Sequence, residues 1–167
     1  MTRWVTRLVA LVVVIGLGIW AWTYFFPSPE KAIRKRLTEV AETASFSANE
    51  GAVAKFQNAQ KLMSFCTADV EVGIDAYGQH ITCTGKEELQ QAVMYARTQL
   101  FGSLSLQFVD PVVTLAPNKR TAFVNLTAKG RVPNDKDMLV QECKFTLQKS
   151  GRSWLIRKVE TVKTLSL

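Results

Sequence analysis

Three hydrophobic rhythms divide the chain. Leu8 to Phe26 (LVALVVVIGLGIWAWTYFF) is unbroken apolar sequence with neither charge nor proline. At about 1.5 Å rise per residue it makes roughly 28 Å of helix, close to the depth of a bilayer's hydrocarbon core. From Pro29 to about Phe101 apolar residues recur every three or four positions, interrupted by a short alternating stretch from Val70 to Cys83. From Leu104 onward they alternate with polar residues, as in half-buried strands.

The helical part has readable punctuation. Ser28 caps a helix that has Pro29 at its first position and Glu30 in its first turn. Ile33, Leu37, Val40 and Ala44 form its apolar stripe. Ser45 to Gly51 breaks the pattern. A second helix is predicted from Ala52 to Cys66, with Val53, Phe56, Ala59, Leu62, Met63 and Cys66 inward and Asp69 in the loop that leaves it. Val70 to Ala76 and His80 to Cys83 read as a hairpin turning at Gly78-Gln79. Parity puts Ile81 and Cys83 on its apolar face, and Asp75, Tyr77, His80 and Thr82 on its polar face. Thr84 and Glu87 have the spacing of a capping box. It opens a third helix to about Phe101, with Leu89, Val93, Ala96 and Leu100 inward.

Four strands follow: Leu104 to Leu115, Thr121 to Val132, Met138 to Lys149 and Trp154 to Thr164. PNK, PNDKD and KSGR turns separate them. Pro111 requires a bulge or a sheet edge. The order predicts one α+β domain, residues 28–167, behind an anchor formed by residues 1–27.

Arg3 and Arg7 precede the apolar run, as in a secretory signal, but the bulky WAWTYFF leaves no small-residue cleavage site. Trp4 at one end and Trp20, Trp22 and Tyr24 at the other fit interfacial belts. The run therefore reads as an uncleaved single-pass span with the lipid bilayer as its partner. Lys31, Arg34, Lys35 and Arg36 follow the span, so the charge rule is nearly balanced. The signal-like start favours a cytoplasmic N-terminus and an extracytoplasmic domain.

The net charge of +7 is spread along the chain, which excludes a nucleic-acid stripe and reads as a solvated basic surface. Cys66, Cys83 and Cys143 form no C-x-x-C, and there is one histidine, so no zinc or other metal site is expected. Cys66 and Cys83 fall on core faces; buried free thiols are the preferred reading, and a Cys66–Cys83 bridge in an oxidising compartment is the alternative. No phosphate-binding glycine loop or G-x-S-x-G elbow occurs, and no cofactor is called for.

The order of elements, with Phe65, Asp69-Val70, ITCTGKEEL at Ile81 to Leu89 and KSGRSWLIRKVE at Lys149 to Glu160, resembles the nuclear transport factor 2-like superfamily over about residues 30–165. The resemblance implies a curved antiparallel sheet wrapped around three helices, a cone with an apolar pocket. In this sequence that pocket would be lined by Phe56, Met63, Tyr95, Asn125, Phe145 and Trp154. The superfamily includes isomerases, dehydratases and polyketide cyclases beside many non-catalytic binders, and many members pair through the sheet's outer face. A membrane-tethered relative in architecture is the assembly factor of type IV secretion systems.

Catalytic members use a carboxylate or histidine inside the cone, often with a tyrosine donor. Asp75, Tyr77 and His80 are the candidates here, with Asp75 orienting His80 as base. The competing reading makes this face the solvent side of a rim hairpin, and it is preferred. The expectation is therefore a membrane-anchored, non-catalytic domain that binds a small hydrophobic ligand or a protein partner at the cell envelope, with a homodimer or envelope partner on the sheet face. The alternatives are a tethered isomerase, cyclase or dehydratase, and a subunit of an envelope or secretion-system complex.

Overall fold

The computed structural model describes residues 13–16, 28–76, 79–100, 102–132 and 138–162. Two compact units divide at Ala32. In the first, residues 13–16 are helical with Val13, Val14 and Ile15 exposed. Ser28 also caps as its type suggests, its Oγ accepting the Lys31 N–H at 3.3 Å. Among the described residues no helix is long and apolar enough to cross a membrane. The expected span Leu8–Phe26 lies outside the described residues apart from 13–16.

The second unit is α+β. Helix α1 (Pro29–Ala44) and α2 (Ala52–Ser64) come first, then strands β1 (Cys66–Ala76) and β2 (Gln79–Thr84), then α3 (Lys86–Tyr95) and a π-helical turn, Ala96–Leu100. Strands β3 (Ser105–Leu115), β4 (Thr121–Arg131), β5 (Leu139–Ser150) and β6 (Ser153–Thr161) complete one curved six-stranded sheet, in the order β2-β1-β6-β5-β4-β3. The sheet is not wholly antiparallel as expected: β1 and β6 run parallel. The early hairpin and the late meander are separate antiparallel pieces, and β6 joins them by returning beside β1 in the same direction.

That junction also explains an error at Cys66. The second helix stops at Ser64, and Cys66 opens β1, which places Asp69 in the strand and not in a loop. The Ile156 N–H donates to Phe65 O at 2.8 Å, and Cys66 pairs with Ile156. A partner ninety residues away outweighs the local helical stripe. The cap of α3 moves as well. Gly85, at φ 84°, is the capping residue, and Glu88 rather than Glu87 takes the Thr84 N–H, at 2.8 Å. Only glycine enters that backbone region freely.

Pro111 meets both of its conditions. Strand β3 is an edge, and its register with β4 breaks between Val109 and Val112, where Asp110 takes φ 52°. Lys119 is also left-handed, at φ 53°, in the β3–β4 turn. A side chain with Cβ costs about 1–2 kcal/mol there. Lys119→Gly is therefore expected to raise stability by about 1 kcal/mol, read as a higher urea midpoint at unchanged slope.

Alternation along each strand separates two faces. Val70, Cys83, Val124, Leu126, Cys143, Phe145 and Leu147 are buried, together with Ile33 and Leu37 of α1 and Ala59, Leu62 and Met63 of α2. Glu71, Asn125, Glu142 and Lys144 occupy the opposite, outer face.

Candidate functional site

Register builds the site. Directly opposed residues of an antiparallel pair share a face. The pairs Asp75↔His80, Gly73↔Thr82 and Glu71↔Thr84 therefore stand together, and Lys158 and Glu160 join them from β6. The His80 Nδ1 and Asp75 Oδ1 lie 2.6 Å apart. Thr161 Oγ1 donates to Asp75 Oδ2 at 3.0 Å, and the Asp75 N–H donates to Thr161 Oγ1 at 3.1 Å. The His80 ring lies over Gly73, where an added Cβ would sit 3.7 Å from Cε1. Lys158 is held by Glu160 at 2.8 Å, with Glu71 at 3.9 Å. The Glu160 bond pushes the Lys158 ammonium above the ordinary lysine range.

These residues border a hollow of about 360 Å³. When an ionised Asp75 accepts the hydrogen bond of the Nδ1–H tautomer, the lone pair of His80 Nε2 is left as acceptor. The arrangement is thus a base with an orienting carboxylate, and Thr161 holds the carboxylate in turn. It stands on the outer face: His80 is 58% exposed and Asp75 29%. Tyr77, the third expected member, lies outside the described residues.

The six expected pocket residues differ in burial. Met63, Phe145 and Trp154 are buried. Phe56 is 48% exposed and Tyr95 56%. Phe56 shares the helical face of Ala59 and Met63, but it lies in the N-terminal part of α2, where Val53 is exposed as well. Asn125 pairs with Val112 and Lys144 and alternates with buried Val124 and Leu126, so parity sets it on the outer face. There it borders a second hollow of about 400 Å³ with Asp110, Val112, Thr127 and Glu142.

The interior side chains offer little chemistry. Among the described residues the buried polar side chains are Thr43 and Arg97. The Cys66 and Cys143 thiols are pushed up to about 11 by burial, and Cys83 is raised by burial and by Glu88. All three are free and buried, and they stay protonated at neutral pH, which makes them poor nucleophiles.

Arg97 is a feature the sequence reading missed. Its NH1 meets Glu50 Oε2 at 2.7 Å, NH2 donates to Thr43 O, and the guanidinium stacks on Phe46 at 5.0 Å. Asn58 donates to the other Glu50 oxygen at 2.5 Å. Arg97 stands four residues after Val93 and three before Leu100, so helical spacing already sets it beside the inward stripe. The chain forms a π turn over Ala96–Leu100, with Arg97 at its second position.

No family model and no curated protein matches the chain. Solved structures do. A nuclear transport factor 2-like protein of unknown function from Pseudomonas putida aligns at 10% identity and TM-score 0.62, covering 85% of this chain and 91% of its own. A cystatin-like protein of unknown function from Nostoc punctiforme aligns at 13% and 0.62, covering 85% and 96%. A candidate scytalone dehydratase from Novosphingobium aromaticivorans aligns at 14% and 0.60, covering 81% and 84%. At such identities the likeness is one of fold, and the fold of this chain is the nuclear transport factor 2-like, cystatin-like α+β fold.

Proposed function

We propose that this protein is a membrane-anchored, non-catalytic domain that binds a small hydrophobic ligand or a protein partner at the cell envelope. One observation carries the non-catalytic part. Among the described residues the buried side chains include no carboxylate, histidine, lysine or tyrosine; the three buried thiols hold their protons at neutral pH, and the charge of Arg97 is matched by Glu50. Acid–base turnover inside the cone needs a group that can exchange a proton near neutral pH. The apolar run Leu8–Phe26 supports the anchor.

The test is fractionation of the full chain. It is expected to remain in membranes after alkaline carbonate washing and to be cut by added protease without opening the cytoplasm. Recovery in the soluble fraction would reject the anchor, and cleavage only in opened cells would reverse the orientation.

A second reading has its own support. Asp75, His80 and Thr161 form a base and its orienting partners beside the outer hollow. A tethered isomerase, cyclase or dehydratase would work there, on the sheet's outer face. It would lose turnover on His80→Ala while keeping its fold.

A further inference from the structure

The two edges of the sheet are built differently. Strand β3 carries Pro111, a bulge and left-handed Asp110, which blunt an edge against further pairing. Strand β2 forms the other edge. Gln79 to Thr84 contains no proline, lysine or carboxylate, and its pairing with β1 runs without a register break.

One bond gives the direction of its peptide groups. The Gly85 N–H donates to Val70 O at 2.7 Å, so that pair is a hydrogen-bonded one. Such pairs alternate along an antiparallel ladder. Cys83 and Ile81 therefore turn their peptide groups towards β1, and His80, Thr82 and Thr84 turn theirs away. The Thr84 N–H does point outward, to Glu88. The outward groups of His80 and Thr82 have no partner among the described residues. Ile81, between them, is 49% exposed.

We propose that β2 pairs antiparallel with β2 of a second copy of this chain, about a two-fold axis at Ile81. In this register His80 of each copy exchanges both peptide hydrogen bonds with Thr82 of the other. Ile81 meets its own copy as a non-hydrogen-bonded pair, at a Cβ separation of about 4.5–5.5 Å, and both exposed side chains are covered. A register centred on Thr82 would require the Thr84 N–H, which Glu88 already holds. An uncharged strand opposes no like charges when it meets itself. Head-to-tail growth onto β3 is blocked by its proline and bulge, so association closes at two copies. The outcome is one sheet continuous across the dimer, which differs from pairing through the outer face.

The test uses the full chain in membranes and in detergent, with the three buried native thiols left in place. Ile81→Cys, oxidised with copper phenanthroline, is expected to give mostly disulfide-linked dimer. Phe123→Cys, on the outer face, is expected to stay unlinked. Adding Thr82→Pro removes an N–H that β1 does not use, and is expected to reduce the linked fraction at least tenfold with the circular dichroism unchanged. By light scattering the wild-type chain is expected at twice its own mass, and Thr82→Pro at the single mass. A single-mass wild type overturns the proposal. So does linkage through Cys at position 123 instead of 81, which would assign the contact to the sheet face. The mass comparison decides the matter even where the cysteine variants fail to fold.

Discussion

Replacing Arg97 by alanine is expected to remove roughly 3–5 kcal/mol of unfolding free energy, the cost of breaking a buried ion pair by deleting one partner. The Arg97 side chain is 1% exposed and Glu50 10%. Without the guanidinium, the Glu50 carboxylate keeps only Asn58, and Thr43 O loses its donor. The stacking on Phe46 goes too. The damage has a location. Ser45 Oγ accepts the Leu106 N–H, and Phe46 bridges to Leu104, so Arg97 secures a connection that docks α1 to the start of β3. Urea unfolding followed by circular dichroism measures the loss. The double variant Arg97→Met with Glu50→Gln is expected to recover at least half of it, because an unpaired buried charge is worse than a neutral pair of similar volume. A loss below about 1 kcal/mol for Arg97→Ala would mean that the cluster contributes nothing measurable.

Arg97 also marks where sequence reasoning ended. A helix pattern with Val93, Ala96 and Leu100 inward sets Arg97 beside that stripe, but an arginine reads as solvent-facing until its distant partners Glu50 and Thr43 are known. Features set by neighbours along the chain were legible. Strand alternation, the requirement at Pro111 and the cap at Ser28 all depend on steric or hydrogen-bond rules that act within a few residues. Parity also put Asp75 and His80 on one face, where they meet at 2.6 Å. Features set by distant partners were hidden. The parallel seam of β1 with β6 recruits Cys66 to Asp69 into a strand, against their helical spacing.

Parity sets Asn125 on the outer face, apart from the buried Met63, Phe145 and Trp154 expected beside it. Its alternation with Ala122, Val124 and Leu126 is legible in the sequence, but which of the two sets faces the core is not. Ala59, Leu62 and Met63 take the core side of α2, and Val124 and Leu126 take that of β4. Bulk and polarity say what a side chain can do, and the phase of its element says where it points.

Raising the pH from 9 to 11 is expected to remove on the order of 4 kcal/mol of stability through two thiols, each half-titrated at one end of that window when unfolded and at the other when folded. Folded Cys66 and Cys143 hold their protons up to about 11, and the ordinary value is 9.0. In that window the unfolded chain binds fewer protons than the folded one, so stability falls as pH rises. Each thiol contributes at most about 1.36 kcal/mol per pH unit. Below pH 9 both states are protonated and the thiols add no slope. The cause is burial: a thiolate in the apolar layer beside Leu62 or Phe145 would lose its hydration, a loss that Lys86 offsets only in part at Cys66. Lysines and tyrosines titrate in the same range, so the measurement is a difference. Urea midpoints of the wild type and of Cys66→Ala with Cys143→Ala are compared at pH 8, 9, 10 and 11. The double variant is expected to start lower, because of the small cavities it leaves, and to fall less steeply. Parallel curves would show that the thiols ionise alike in both states. Lys86, whose charge opposes the burial effect at Cys66, supplies the internal check. Lys86→Gln is expected to steepen the alkaline loss, because it removes the one nearby charge that favours the thiolate.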